Sequence, residues 1–406
     1  MKYSSIIPLI GGKVLAHYEL LNKQLPEYIL SYTPFVANDS HILNYFNNEI
    51  PYFLLDKNEK PKNLKVDIVS TLCPCAGLSG LSLKRSADNE KNNWMYLTAK
   101  FVLEEITPIV FWGENAPAFA TELGSKIRTK LMKCAYDNGY TFSIYVTKSQ
   151  NHGNPQYRRR SFYFFWKGNK VPVFEYYQKP YKKIEDTILE IKSNFQQELI
   201  NGRTPSKNPW YDIVLNKIHS GVTHTYFMQN ILKKSCDVQS YIEGQIPKNP
   251  YLFCKEIFKE KNLDNLVKKC EHIHEKLNSG KYFMKREIML PKNNITAFVG
   301  HFPYQMTHPI EDRFLTYREA MSIMGLPENF ELLNPKKSVN HICQNVPLQT
   351  AKDMFFEILE ALKGNRVWLN QKFILQNNLT KTISNTSENF SIDNQQVIDT
   401  LEQYII

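Results

Sequence analysis

Over the first 170 residues or so, short apolar runs alternate with amphipathic stretches, and this alternation constrains the fold more than any other feature. The runs lie at 4–10, 35–38, 52–55, 66–72, 109–112, 142–146 and 161–166, and 94–106 and 126–138 between them carry helical spacing. Strand and helix in turn predict an α/β domain with a largely parallel sheet and helices on both faces, because parallel neighbours need helical crossovers.

A chain of 406 residues with 42% apolar content can bury a substantial core, and it fits one large domain plus a smaller one. Residues 1–170 are the first part of the large domain. From 171 to 285 the texture becomes Lys- and Tyr-rich, with breaks at 201–205 and 247–250 and helices expected at 184–200 and 263–277. This stretch reads as an inserted domain with its own small core and a basic face. Residues 286–364 return to α/β texture, with an apolar run at 294–299 and an amphipathic helix over 346–362. The segment 365–406, rich in Asn, Thr, Ser and Gln, reads as a loosely ordered tail.

The formal charge of +10 favours a polyanionic partner, since cations that neutralise phosphates release counterions. Seven cysteines, with Cys134, Cys236, Cys254, Cys270 and Cys343 scattered and no Cys-x-x-Cys pair, indicate free thiols in a reducing compartment. Cys73 and Cys75 lack the nearby His or Cys that a closed zinc site needs, so no metal is expected. The apolar run at 6–10 is broken by Gly11-Gly12-Lys13, too soon for a signal sequence, and no run approaches the roughly 20 residues of a membrane span.

Chemistry concentrates where apolar runs open into polar clusters. Pro74-Cys75 follows the run at 66–72, a usual place for a nucleophile, although a cysteine there is more often a small buried hydrophobe. Glu114-Asn115 follows Phe111-Trp112-Gly113, where a lone Glu reads as a helix N-terminal charge. Gln156-Tyr157-Arg158-Arg159-Arg160 precedes the run at 161–166, and alternation puts Arg158 and Arg160 on one side of an extended segment. By itself that cluster is a solvated basic run. Thiol, carboxyl and paired guanidinium nevertheless stand in order along one pattern.

That order resembles the C5-cytosine DNA methyltransferase family, whose blocks can be followed up to about residue 362. The resemblance implies a Rossmann-like methyltransferase sheet with helices on both faces and a smaller inserted target-recognition domain at 171–285. It implies that Cys75 attacks C6 of a flipped cytosine, that Glu114 bonds N3, and that Arg158 and Arg160 hold O2 and the phosphate. Ser79, Asn115, Gln156 and Arg313 would complete the substrate site. S-adenosylmethionine is the implied methyl donor, with Ile7, Gly11, Gly12, Asp39, Asp56, Pro74 and Asn345 around it. The family's Phe-x-Gly-x-Gly-Gly is Ile7-Pro8-Leu9-Ile10-Gly11-Gly12 here, and its Pro-Cys-Gln is Pro74-Cys75-Ala76. His308-Pro309, Asp312-Arg313 and Arg318-Glu319 resemble the ninth block, and Gln344-Asn345-Val346-Pro347 resembles Gly-Asn-x-Val-Pro.

The implied partner is duplex DNA, acted on by a monomer in the cytoplasm of a bacterial or phage-infected cell, within restriction-modification. Two alternatives share the resemblance: a tRNA cytosine-5 methyltransferase and a non-catalytic DNA-binding relative. Asn208-Pro209-Trp210-Tyr211 invites comparison with amino-methyltransferases, but it lacks a second proline and reads better as a helix start.

Overall fold

The computed structural model of the chain describes residues 1–80, 82, 85–232, 238–246, 249–280, 288–300 and 302–385. Its centre is a nine-stranded sheet formed by β1 (Tyr3–Ile6), β2 (Ile29–Ser31), β3 (Tyr52–Leu54), β4 (Ile68–Thr71), β5 (Val110–Asn115), β6 (Tyr140–Lys148), β7 (Arg159–Lys167), β8 (Phe373–Asn377) and β9 (Thr382–Asn385). The spatial order is β9-β8-β6-β7-β5-β4-β1-β2-β3. From β3 to β5 every neighbouring pair is parallel, whereas β7 runs antiparallel to both β5 and β6.

Four helices follow strands: α1 (Gly12–Leu20), α2 (Val36–Tyr45), α3 (Asn93–Phe101) and α4 (Ser125–Asp137). α5 (Leu348–Leu362) returns from the C-terminal part to pack on α1. Trp112 of β5 marks this face: the ring of His17 from α1 lies 5.6 Å from it, and that of Phe355 from α5 lies 6.4 Å away. α3 and α4 pack on each other across the opposite face. The predicted α/β class with a largely parallel sheet is the architecture observed.

Residues 35–38 are the exception among the apolar runs of the first 170 residues. They were expected in the strand-and-helix alternation as a strand-like run, yet Thr33–Phe35 makes a helical turn and 36–38 begin α2. Pro34 explains this, since its fixed φ and missing N–H suit a first helical turn. The second strand lies earlier, at Ile29–Ser31. The run at 294–299 forms no strand of the sheet. Instead Ile295 bridges to Gln156, with Tyr157 N donating to Ile295 O at 2.7 Å.

A second hydrophobic core is built between Trp210 and Met289, around Trp210, Phe227, Tyr251 and Phe258. The inserted unit therefore begins later than the expected 171. Val171, Phe174, Ile184, Ile188 and Ile200 belong to the large core, and the expected helix at 184–200 is confined to Ile184–Leu189. Helix Asp264–Asn278 matches the other expectation. Residues 281–285 lie outside the described residues.

The expectation of a loose tail from 365 is corrected for its first part. Trp368–Leu369 pairs with Val171–Pro172, and β8 lies beside β6 in parallel. Phe373 and Ile374 are 3% and 0% exposed, so burying them repays the ordering of the strand. Residues 386–406 lie outside the described residues. No described helix is long and apolar enough to cross a membrane.

If β8 completes the core, Phe373→Ala lowers the unfolding free energy by about 3 kcal/mol, the usual cost of emptying an aromatic site. Urea denaturation measures this; a change within about 0.5 kcal/mol, typical of an unpacked surface position, goes against the assignment.

Candidate functional site

The ends of β4 and β5 and the start of β7 meet at one edge of the sheet. β4 stops at Thr71, and Leu72-Cys73-Pro74-Cys75 leaves it as a loop. Cys73 is buried, its Sγ 3.4 Å from Thr71 Oγ1 and 3.7 Å from Thr98 Oγ1. Cys75 is partly exposed, while Cys73, Cys134, Cys254, Cys270 and Cys343 are all buried. Its carbonyl accepts the amides of Leu78 and Ser79 at 3.0 and 2.8 Å, which closes a tight turn. Pro74 is partly buried beside it.

Glu114 is the penultimate residue of β5 and is buried. Antiparallel pairing sets Glu114 opposite Phe162, so Arg160, two residues before Phe162, lies diagonal to it on the same face. Arg160 Nε is accordingly 3.1 Å from Glu114 Oε2, an ion pair without hydrogen-bond alignment. Next to it, the Asn115 side chain is held within the protein, Nδ2 on Met95 Sδ and Oδ1 on the Ala116 amide.

Arg158 joins the groups. Its guanidinium is buried and donates to Phe298 O and Cys343 O, both at 2.7 Å, while Nε has no partner among the described residues. Burial and the neighbouring Arg160 disfavour its charge, while the charges of Glu114, Cys343 and Cys75 support it. The Cys75 thiol, the Glu114 carboxyl and the Arg160 guanidinium thus all lie within electrostatic reach of Arg158.

Two expected substrate contacts are engaged internally instead. Gln156 Nε2 donates to Ile323 O and contacts Met324 Sδ, and its Oε1 accepts the Phe298 amide at 3.0 Å. Every polar atom of that side chain is spent on tying the segment before β7 to the C-terminal part. Arg313 pairs with Glu319 at 2.7 Å and with Glu311 at 2.6 Å, beside the capping box that Thr316 and Glu319 form. Ser79 serves the turn through its backbone.

On the other side of Cys75 lies the loop between β1 and α1. Ile7, Leu9 and Gly11 all have positive φ, 54°, 51° and 89°. Leu9 holds this left-handed conformation without being glycine, a strained arrangement that turns its backbone to Asp39. A Cβ on Gly12 would lie 2.4 Å from the amide of Asn345, so a larger residue there displaces that side chain. Both polar atoms of that amide are buried and lack partners among the described residues. Asp39 is buried too: Oδ2 accepts from Ser31 Oγ at 2.5 Å and Tyr52 OH at 2.9 Å, and Oδ1 has no partner among the described residues. Burial pushes its carboxyl up to about 7 against the pull of those bonds. Asp56 is exposed, and both its oxygens accept from the Thr33 amide.

Sequence reasoning missed Lys13, Ser31 and Tyr52. The last two orient Asp39 across strands, a relation without local signal. Lys13 did carry one: it is a lone cation directly after Gly11-Gly12 and before the buried Val14-Leu15-Ala16. Among the described residues no cluster of His, Cys, Asp or Glu could hold a metal ion.

A profile of C-5 cytosine-specific DNA methylases matches residues 46–360, a span that includes Cys75, Glu114, Arg158 and Arg160. The chain belongs to that family. The match begins after the loop between β1 and α1. Among curated methylases, the chain is 29% identical over 136 residues to a candidate type II methyltransferase of Methanocaldococcus jannaschii, covering 32% of this chain and 34% of that one. It is likewise 29% identical over 100 residues to a type II methyltransferase of Thalassovita gelatinovora, covering 25% and 23%. The chain thus spans about a third and about a quarter of these two relatives. The Entamoeba histolytica methyltransferase EhMeth superposes with a TM-score of 0.53 at 10% identity, over 89% of this chain and 98% of that one. A candidate DNA modification methyltransferase encoded within an E. coli prophage gives 0.52 at 18%, over 89% and 99%. The methylase fold of this chain is the Rossmann-like methyltransferase fold.

Asp39 makes a pH-dependence measurable without any ligand. Unfolded, its carboxyl ionises near 4; folded, it keeps its proton to about 7. Across that window the folded state binds more protons, so this group makes stability fall as pH rises. Asp39→Asn is expected to flatten that slope, checked by urea denaturation at both ends of the window.

Proposed function

We propose that this methylase transfers a methyl group from S-adenosylmethionine to C5 of a cytosine extruded from duplex DNA, through a transient bond from Cys75 to C6. The observation that carries the proposal is the convergence on Arg158 of Cys75, Glu114 and Arg160, with Cys75 alone among the described cysteines reaching the surface.

Each group has a role that its chemistry suits. The Cys75 thiolate forms the bond to C6, and the C5–C6 π pair moves to C5, which becomes nucleophilic. Glu114 meets N3 and neutralises the charge that develops in the ring, which requires a protonated carboxyl at that moment. Arg160, paired with Glu114, fixes the carboxyl and presents cationic N–H groups to the ring oxygen or a phosphate. Arg158, bonded to two backbone carbonyls, holds the edge of the site together. Once C5 carries the methyl, its proton passes to solvent, the freed pair re-forms the C5–C6 double bond and expels Cys75 as a thiolate, and N3 returns its proton to Glu114, which restores the aromatic ring.

S-adenosylmethionine, when bound, supplies a methyl carbon from its sulfonium. The residues present fit such a ligand. The unpartnered Asp39 Oδ1 suits ribose hydroxyls and the unpartnered Asn345 amide suits polar groups of a nucleoside or amino acid, while Gly11-Gly12, lacking side chains, lets Ile42 and Asn345 pack close to the backbone between them. Asp56 at the rim is a further acceptor.

Duplex DNA is favoured by the charge of +10 and by the separate second core, which offers a unit able to read base edges while the sheet holds the strand. Extruding the base costs about a few kcal/mol, to be met by phosphate contacts.

The test is transfer of labelled methyl from S-adenosylmethionine to cytosine-containing duplex. Cys75→Ser is expected to abolish transfer, Glu114→Gln to slow it by about 10²-fold or more, and a 5-fluorocytosine duplex to trap a covalent adduct. Equal transfer by the Cys75 variant removes the mechanism, preference for tRNA over duplex replaces the substrate, and duplex binding without transfer removes the enzyme.

A further inference from the structure

A row of polar contacts between α2 and the C-terminal return has no part in the proposed chemistry. Asn38, His41 and Asn44 recur every three residues, so they line one side of α2. Each meets a segment far along the chain. Asn38 Nδ2 donates to Gln344 Oε1 at 3.1 Å, the ring of His41 meets that of His341, and Asn44 Nδ2 donates to Glu331 Oε2 at 3.0 Å.

The middle contact has the stricter geometry. His41 is 1% exposed, and its Nδ1 accepts the Leu333 amide at 3.1 Å. A neutral imidazole has one donor and one acceptor nitrogen, so Nε2 carries the hydrogen and donates to His341 Nδ1 at 3.0 Å. Burial favours the neutral form of both rings. Two apolar side chains would join α2 to the helix Pro335–Cys343 without desolvating polar atoms, but they would not fix a separation as a hydrogen bond does.

This row adjoins the groups assigned to the methyl donor. Asp39 follows Asn38 and Asn345 follows Gln344, so the Asn38–Gln344 bond joins the immediate neighbours of both. The loop from β1 to α1 runs between them: the Leu9 backbone meets Asp39, a Cβ on Gly11 would lie 2.4 Å from Ile42 of α2, and Gly12 abuts the Asn345 amide. Leu9 to Gly12 is a step of three residues, about 11 Å at full extension. The unpartnered Asp39 Oδ1 and Asn345 amide therefore flank a short span of backbone, and their separation follows that of α2 and the helix Pro335–Cys343.

We propose that the His41–His341 bond, with Asn38–Gln344 beside it, is a clasp that sets the spacing of Asp39 and Asn345, which makes His41 a positioning residue for the cofactor. His41 touches neither ligand nor reacting atoms. It acts through α2 on Asp39 and through His341 on Asn345. The inference rests on the proposed reading of Asp39 and Asn345 as contacts of S-adenosylmethionine, and on no later step of the reaction.

Calorimetric binding of S-adenosylmethionine to the full chain tests it. His41→Asn keeps an acceptor for the Leu333 amide but is too short to reach His341, whereas His41→Gln carries an amide N–H to the place of Nε2. His41→Asn is expected to bind about tenfold more weakly than the parent, and His41→Gln within about threefold of it. His341→Leu is also expected to cost about tenfold, and combining it with His41→Asn to cost no more than either alone, because both remove one bond. In steady-state transfer the His41→Asn loss falls on KM for the donor, with kcat within about twofold. Gln344→Ala, at an exposed position, is expected to weaken binding about threefold and carries the test if a histidine variant does not fold. Parent-like binding by His41→Asn and Gln344→Ala overturns the clasp, as does His41→Gln binding as weakly as His41→Asn, or additive losses in the double variant. A parent that binds the donor but transfers no methyl defeats the proposed function alone; one that binds no donor defeats both.

Discussion

The antiparallel insertion of β7 between β5 and β6 is the constraint on which the site depends. In a parallel run, every strand brings its C-terminal end to the same edge, and β4 and β5 bring Cys75 and Glu114 there. Because β7 runs the other way, its beginning reaches that edge, and its beginning carries Arg160, with Arg158 just before it. A parallel β7 would carry the guanidiniums to the far side of the sheet. One reversal of direction thus converts three separate strand ends into a cluster of thiol, carboxyl and cations.

Burying that cluster costs solvation energy, and the chain offsets the cost with carbonyls from distant segments. Arg158 is satisfied by Phe298 and Cys343, and Gln156 by Ile323 and Phe298, so the stretch before β7 is tied to the C-terminal return. Arg318 does the same for its own neighbourhood, donating to the carbonyls of Leu326, Pro327 and Glu328. Guanidinium forks suit this task because they present several donors in one plane. The same bonds that hold the edge together explain why Gln156 and Arg313, both plausible substrate contacts by type, are occupied within the protein.

The loop between β1 and α1 shows strain kept where function is proposed. Leu9 sits at a φ that favours glycine, and its backbone meets Asp39. Glycine is absent from the sequence at this position, but a left-handed backbone that favours it is present. Asp39 on α2 and Asn345 in the loop before α5, some 300 residues apart in sequence, both carry buried polar atoms without partners among the described residues, and Gly12 packs against the second.

Much of the fold was legible in local pattern, because a strand that feeds a parallel sheet is an apolar run and a covering helix is amphipathic. Cys75, Glu114, Arg158 and Arg160 were legible by type and order. Residues 35–38 carried a local helix signal in Pro34 that outweighs their apolar run, whereas the assignment of 171–200 and 365–385 hangs on partners far away, since Val171 and Phe373 found the large core only through pairing with 369 and 142. By itself the sequence determined the alternation of elements and which reactive groups would lie at strand ends, for these follow from neighbours along the chain. Only the tertiary structure decided which of those groups meet, which polar atoms stay unpaired, and that Lys13 is buried over the Trp112 ring, because burial and electrostatic company depend on distance in space, which sequence separation does not measure.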